Sequence, residues 1–123
     1  MQFFFDYSEE GTVDGLGWIK GYLKKFEPSF TNGIKIPHMG WNKIKILNNC
    51  ELFSDQDSLN DLRYYFVHSY HAICADNSNL VATTFYGSDV TAVVQSENIY
   101  GAQFHPEKSH KFGMNLFSNF IKL

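Results

Sequence analysis

Two runs of β-branched and aromatic residues, Leu80 to Tyr86 and Val90 to Gln95, are separated only by Gly87-Ser88-Asp89. Short apolar runs joined by a turn-forming triplet fold back on each other as a hairpin. A two-stranded hairpin is marginal by itself and needs further strands or a helix against it. Candidates lie on both sides. Trp18 to Phe26 alternates as a strand with one wet face, and Ile34 to Pro37 is a short extended piece. The run His38-Met39-Gly40-Trp41-Asn42 leads into Lys43 to Leu47, whose period of two is clear. Arg63 to Val67 is a strand running into His68-Ser69-Tyr70-His71, and Asn98 to Phe104 is the last strand. Glu27 to Gly33 reads as a turn-rich loop. Asn48 to Asn60 is polar, with little regular structure beyond a turn at Leu52 and Phe53. Ser109 is placed to cap a closing helix in which Phe112, Leu116, Phe117, Phe120 and Ile121 recur at helical spacing. Met1 to Tyr7 is strongly apolar and lacks a helix-start signal. It reads as the second half of a buried helix or as a short amphipathic one. The expected fold is an incomplete α/β domain over residues 1–123, with a β-rich middle and a C-terminal helix.

A net charge of -3 in 123 residues gives no electrostatic reason to expect nucleic acid or an anionic membrane as partner. The longest apolar runs fall far short of the ~20 residues of a membrane helix. The start, Met1-Gln2-Phe3-Phe4-Phe5-Asp6, lacks the basic region of a signal peptide. Two cysteines, Cys50 and Cys74, make no disulfide framework, so a reduced, cytoplasmic setting is expected.

Three groups of residues invite a chemical reading. His68, His71 and Cys74 are spaced by threes, which on a helix converges on a metal. Their aromatic and β-branched neighbours favour an extended chain, where positions three apart face opposite ways. No metal site is expected. The glycines are scattered and form no phosphate-cradling loop. The third group is Gly101-Ala102-Gln103-Phe104-His105-Pro106-Glu107, an apolar strand that stops at a histidine, a proline and a glutamate. A residue before proline is kept extended, and side chains two apart in an extended chain share a side. His105 and Glu107 can therefore meet, as a general base and its orienting partner. The alternative is a strand-to-helix turn with Glu107 near a helix N-terminus and His105 a bystander. A base needs a nucleophile to deprotonate. Neither Cys50 nor Cys74 sits in the strand-glycine-helix context of a nucleophile elbow.

The run Gly101 to Ser109 resembles the end of class I (triad) glutamine amidotransferase domains, whose fold is flavodoxin-like with a mixed sheet. Four further runs occur in the matching order: Gly15-Leu16-Gly17-Trp18-Ile19, Ile36-Pro37-His38-Met39-Gly40-Trp41-Asn42, Tyr65-Phe66-Val67-His68-Ser69-Tyr70 and Ala82-Thr83-Thr84-Phe85-Tyr86-Gly87. Together they are similar to the glutaminase subunits of imidazole glycerol phosphate synthase, over essentially the whole chain. Pro37 to Asn42 is the most specific run.

The resemblance implies a glutaminase that supplies ammonia to a cyclase partner in histidine biosynthesis, as a heterodimer and without a cofactor. His105 and Glu107 match the catalytic pair. Gln2, Ser69 and Tyr70 match positions that help hold substrate glutamine, and His38, Met39, Trp41 and Asn42 match the face toward the cyclase. The family's nucleophile lies in a Cys-Leu-Gly-Met-Gln elbow whose last two residues match Met1-Gln2. The cysteine is thus expected upstream of Met1, making the chain the C-terminal part of a longer subunit, inactive and poorly soluble by itself. A paralogue serving a sugar-modifying synthase and a non-catalytic partner-binding module are the alternatives.

Overall fold

A computed structural model describes residues 1–28, 34–54 and 61–123. Most of the expected loop from Glu27 to Gly33, and the second half of the stretch from Asn48 to Asn60, lie outside the described residues. The turn at Leu52 and Phe53 is present as a single 3-10 turn, Glu51–Phe53, with both apolar side chains buried.

The hairpin forms as expected. Strands β7 (Leu80–Phe85) and β8 (Asp89–Ser96) pair antiparallel, with Gly87 at positive φ in the turn. They sit inside a five-stranded antiparallel sheet, flanked on one side by β4 (His38–Ile46) and β5 (Arg63–His68) and on the other by β9 (Ile99–Ala102). Val90 to Val94 are buried without alternation. The reason is that both faces of β8 are covered. Ala92 and Val93 enter a larger core with Ile44, Tyr64, Phe66 and Leu116, whereas Val94 enters a smaller one with Phe5, Ile19 and Leu23.

The smaller core is roofed by a second sheet in the order β2 (Val13–Asp14), β1 (Tyr7–Ser8), β3 (Gly21–Lys25) and β6 (Tyr70–Cys74). Its β1–β3 pair is parallel and the others antiparallel, so this sheet is mixed. Helix α1 (His110–Ile121) closes the chain against the larger core. The whole is a mixed α/β arrangement, and among the described residues no helix is long and apolar enough to cross a membrane.

Several expectations need correcting. Met1 to Tyr7 is not part of a helix: only Gln2–Phe4 make a 3-10 turn before β1. The backbone carbonyls of Phe3, Phe4, Phe5 and Asp6 accept from Leu16, Ile19, Gly17 and Gly15, so long-range partners take the groups a helix would use. The strand expected from Trp18 begins only at Gly21, because Trp18 packs on Phe4 and Asp6 accepts from the Gly21 amide at 2.9 Å. Strand β4 is longer than its period of two suggested and takes in His38 to Asn42. In α1 the buried residues are Gly113, Leu116 and Asn119, with Phe112 half-buried, while Phe117, Phe120 and Ile121 are exposed. The helix is turned this way by two polar or backbone contacts: Gly113 lies against the Pro106 backbone, and Asn119 donates to the Leu52 carbonyl at 3.1 Å. Neither is an apolar signal.

Candidate active site

Residues 101 to 109 leave the sheet edge and turn into α1. Phe104 anchors the exit. Its ring is buried, stacks on Tyr64 at 3.9 Å and meets Phe66 edge-on at 5.6 Å. With Phe104 inward, its neighbours Gln103 and His105 share the opposite side of the extended chain. His105 is extended (φ -99, ψ 97) and Pro106–Lys108 make one 3-10 turn. This brings His105 Nδ1 to 2.8 Å from Glu107 Oε1. The pair meets as the spacing requires. Its Nε2 takes no hydrogen-bond partner among the described residues, and the ring is partly open to solvent. The Glu107 carboxyl is held below its ordinary pKa by its own backbone amide and by His105, so it is an anion at neutral pH. An imidazole with a carboxylate on Nδ1 and a free Nε2 can take a proton at Nε2 and be stabilised as imidazolium.

The histidine is clamped at both ends of its peptide unit. Its N–H donates to the Tyr65 carbonyl at 2.8 Å. Its carbonyl accepts from Ser109 Oγ at 2.7 Å, and the same hydroxyl accepts from the Tyr65 amide at 3.0 Å. Ser109 is fully buried. It stands at the N-cap position of α1, but its hydroxyl makes no cap bond. The expectation of a capping serine is thereby corrected: the side chain is committed to holding β5 against the His105 turn. Nothing in the local sequence signals that, because Tyr65 is 44 residues away.

Gln103, two residues before His105, lines a pocket of about 270 Å³ together with Gln2, Glu10, His68, Ser69 and Tyr70, while His105 and Glu107 are not among its lining residues. The three residues expected to hold substrate thus converge, although Gln2 and Tyr70 are 68 positions apart. Gln2 Nε2 donates to the Tyr70 carbonyl at 3.1 Å and to Gln103 Oε1 at 3.2 Å. Glu10, His68 and Gln103 were not singled out for this pocket by sequence reasoning. Gln103 had a signal, lying two residues before His105 on its side of the chain. Glu10 had none.

The four residues expected on one outer face divide by the pleat. Met39 and Trp41 project outward, 61% and 47% exposed, and Trp41 stacks on His110 and meets Tyr65 edge-on. His38 is 2% exposed and points the other way, its Nδ1 at 2.9 Å from His68 Nε2. Its assignment to an outer face is corrected by the period-two alternation of β4. Asn42 follows His38, donating to the Phe85 carbonyl at 2.8 Å and facing His38 Nε2 at 3.3 Å.

Among the described residues no group of three or more His, Cys, Asp or Glu is placed to hold a metal. His68 spends its ring on His38 and the Tyr70 carbonyl, while His71 stacks on Phe26 at 4.7 Å. Cys50 packs against the larger core and Cys74 against the smaller, and burial pushes both thiols up. Both are therefore poor thiolates, the reverse of an activated nucleophile.

All of residues 1–123 match the family Glutamine amidotransferase class-I. The chain belongs to the class I glutamine amidotransferases. Curated relatives include imidazole glycerol phosphate synthase subunit HisH 2 of Methanococcus maripaludis, 50% identical over 99% of this chain and 58% of the relative. Subunits HisH of Pelagibacter ubique and Methanocaldococcus jannaschii are 44% and 43% identical over 100% of this chain, and 58% and 60% of their own lengths. The chain thus spans about three-fifths of these class I relatives. In fold it is similar to a Thermoplasma acidophilum protein assigned as a GMP synthase subunit, with a TM-score of 0.62 over 83% of this chain and 47% of that one, at 23% identity. The amidotransferase fold is thus carried by these residues.

Proposed function

We propose that this chain supplies the acid–base half of a glutaminase serving histidine biosynthesis, in the cytoplasm and as one subunit of a heterodimer with a cyclase. The observation that carries the reading is the His105 Nδ1 to Glu107 Oε1 contact of 2.8 Å with Nε2 left open. In the proposed reaction a cysteine thiolate, contributed by sequence upstream of Met1, attacks the side-chain amide carbon of glutamine. His105 delivers a proton from Nε2 to the departing nitrogen, and ammonia leaves a glutamyl thioester. His105 then takes a proton from water as it attacks, releasing glutamate and the thiolate. Glu107 stabilises the imidazolium that exists before ammonia leaves and again once water has given up its proton; at the thioester stage between them His105 is neutral. Gln2, Ser69 and Tyr70 hold the substrate, and the carboxylate of Glu10 suits its α-ammonium group. The exposed Met39 and Trp41 support a cyclase-facing surface, in which His38 takes no direct part.

The test uses the complete subunit with its partner. His105→Ala lowers glutamate release about 10²- to 10⁴-fold, the usual worth of a positioned acid–base group, and leaves partner binding intact. Undiminished release would overturn the role of His105. The 123-residue chain alone is expected to release no glutamate; activity that survives replacement of Cys50 and Cys74 would overturn the upstream nucleophile.

A further inference from the structure

Two buried histidines, His38 and His68, have no part in the chemistry above. They stand directly opposite each other on β4 and β5, and their hydrogen bonds run in one direction. The Tyr70 carbonyl can only accept, and His68 Nδ1 lies 2.8 Å from it, so Nδ1 carries the hydrogen. In a neutral ring His68 Nε2 is then a bare acceptor, and His38 Nδ1 at 2.9 Å must donate to it. His38 Nε2 is bare in turn and takes a hydrogen from Asn42 Nδ2 at 3.3 Å. The other Asn42 hydrogen goes to Phe85. Each step is forced by the one before it. At the far end the Tyr70 carbonyl also accepts from Gln2, so the group that Gln2 turns toward it must be the nitrogen. The second hydrogen of that nitrogen goes to Gln103.

We propose that His38 and His68 are positioning residues: their one-way relay from Asn42 holds the Tyr70 carbonyl at the pocket wall, where the same carbonyl accepts from the Gln2 amide, and so keeps Gln2 and Tyr70 placed for an amino-acid ligand. This rests on the glutaminase reading only for the identity of that ligand. Neutrality of both rings is part of the device, because an added proton would set N–H against N–H. The surroundings enforce it. Phe26, Phe66 and Tyr86 pack on His38, and His68 faces His71 and His105, whose positive charge would repel its own. Burial is the main cause that pulls both rings down to about 4.

Imidazole nitrogen spectra of the isotope-labelled full-length protein test the relay without any ligand. Both rings are expected neutral and protonated at Nδ1, the less common tautomer, from neutral pH down to about 5.5. Protonation at Nε2 of either ring, or a cation in that range, overturns the relay. The Tyr70 carbonyl keeps His68 protonated at Nδ1 in either variant, but His38→Asn keeps a donor to the bare Nε2, whereas His38→Leu removes it and shifts the Nε2 resonance to that of a nitrogen without a hydrogen bond. A packing role alone would not separate these two variants. Calorimetry with L-glutamine supplies the second readout. His38→Leu is expected to weaken binding about tenfold and His38→Asn by no more than about threefold, the scale of one hydrogen bond. Equal binding by both variants and the parent overturns the positioning role. Failure of the parent to bind L-glutamine refutes the glutaminase reading, and the tautomers then decide the relay by themselves.

Discussion

Ser109→Ala is the most direct probe of how the His105 turn is held. The hydroxyl bridges two backbone groups, the His105 carbonyl at 2.7 Å and the Tyr65 amide at 3.0 Å, inside a fully buried site. Alanine fits the space, so packing is nearly unchanged and the loss is in hydrogen bonding. A buried polar group left unpaired costs about 1–3 kcal/mol. The Tyr65 amide bears that cost, whereas the His105 carbonyl keeps the Lys108 amide as a donor at 3.1 Å. The expected destabilisation is therefore about 1–3 kcal/mol, or on the order of 5–10 °C in Tm for a domain of this size. Urea denaturation of the complete subunit measures the first quantity. Hydrogen exchange locates it, since the Tyr65 amide should lose protection more than the amides of β7 and β8. The glutaminase rate should fall while the affinity for L-glutamine changes little, because the pocket residues are untouched. A loss below about 0.5 kcal/mol with unchanged Tyr65 exchange would refute the bridging role.

Other substitutions test the same frame. In Gly113→Ala the new Cβ would collide with the Pro106 carbonyl oxygen. We expect about 1–3 kcal/mol of destabilisation and a displaced His105–Glu107 contact; a neutral result in denaturation would refute the close approach. Glu107→Gln removes the anion beside Nδ1 at nearly constant size, and the glutaminase rate should drop about 10- to 100-fold, with an altered pH profile as the check. Stability should also depend on acid. His38 and His68 titrate near 4 when folded, against an ordinary 6.5. The unfolded chain therefore takes up protons first, so stability is full above about 6.5 and declines as pH falls toward about 4, by at most about 3 kcal/mol per ring. The urea midpoint followed over that range should decline, and the decline should flatten in His68→Leu.

Much of this protein is a matter of local sequence. The hairpin follows from two β-rich runs around Gly87-Ser88-Asp89, and the meeting of His105 with Glu107 follows from Pro106 and the alternation of an extended chain. Period two in β4 was also legible, and applied to His38 to Asn42 it separates His38 from Met39 and Trp41. What local sequence could not supply is any feature whose partner lies far along the chain. Met1 to Tyr7 has a helix-like composition, yet its carbonyls are taken by residues 15–19. Ser109 looks like a cap, yet its hydroxyl is claimed by Tyr65. The apolar period of α1 predicts Phe117 and Phe120 inward, yet the Pro106 backbone and the Leu52 carbonyl turn Gly113 and Asn119 inward instead. The pocket itself exists only because residues near 2, 10, 69 and 103 are brought together. Propensity and periodicity act between near neighbours, whereas hydrogen-bond partners and close contacts are settled by which segments meet in the folded chain.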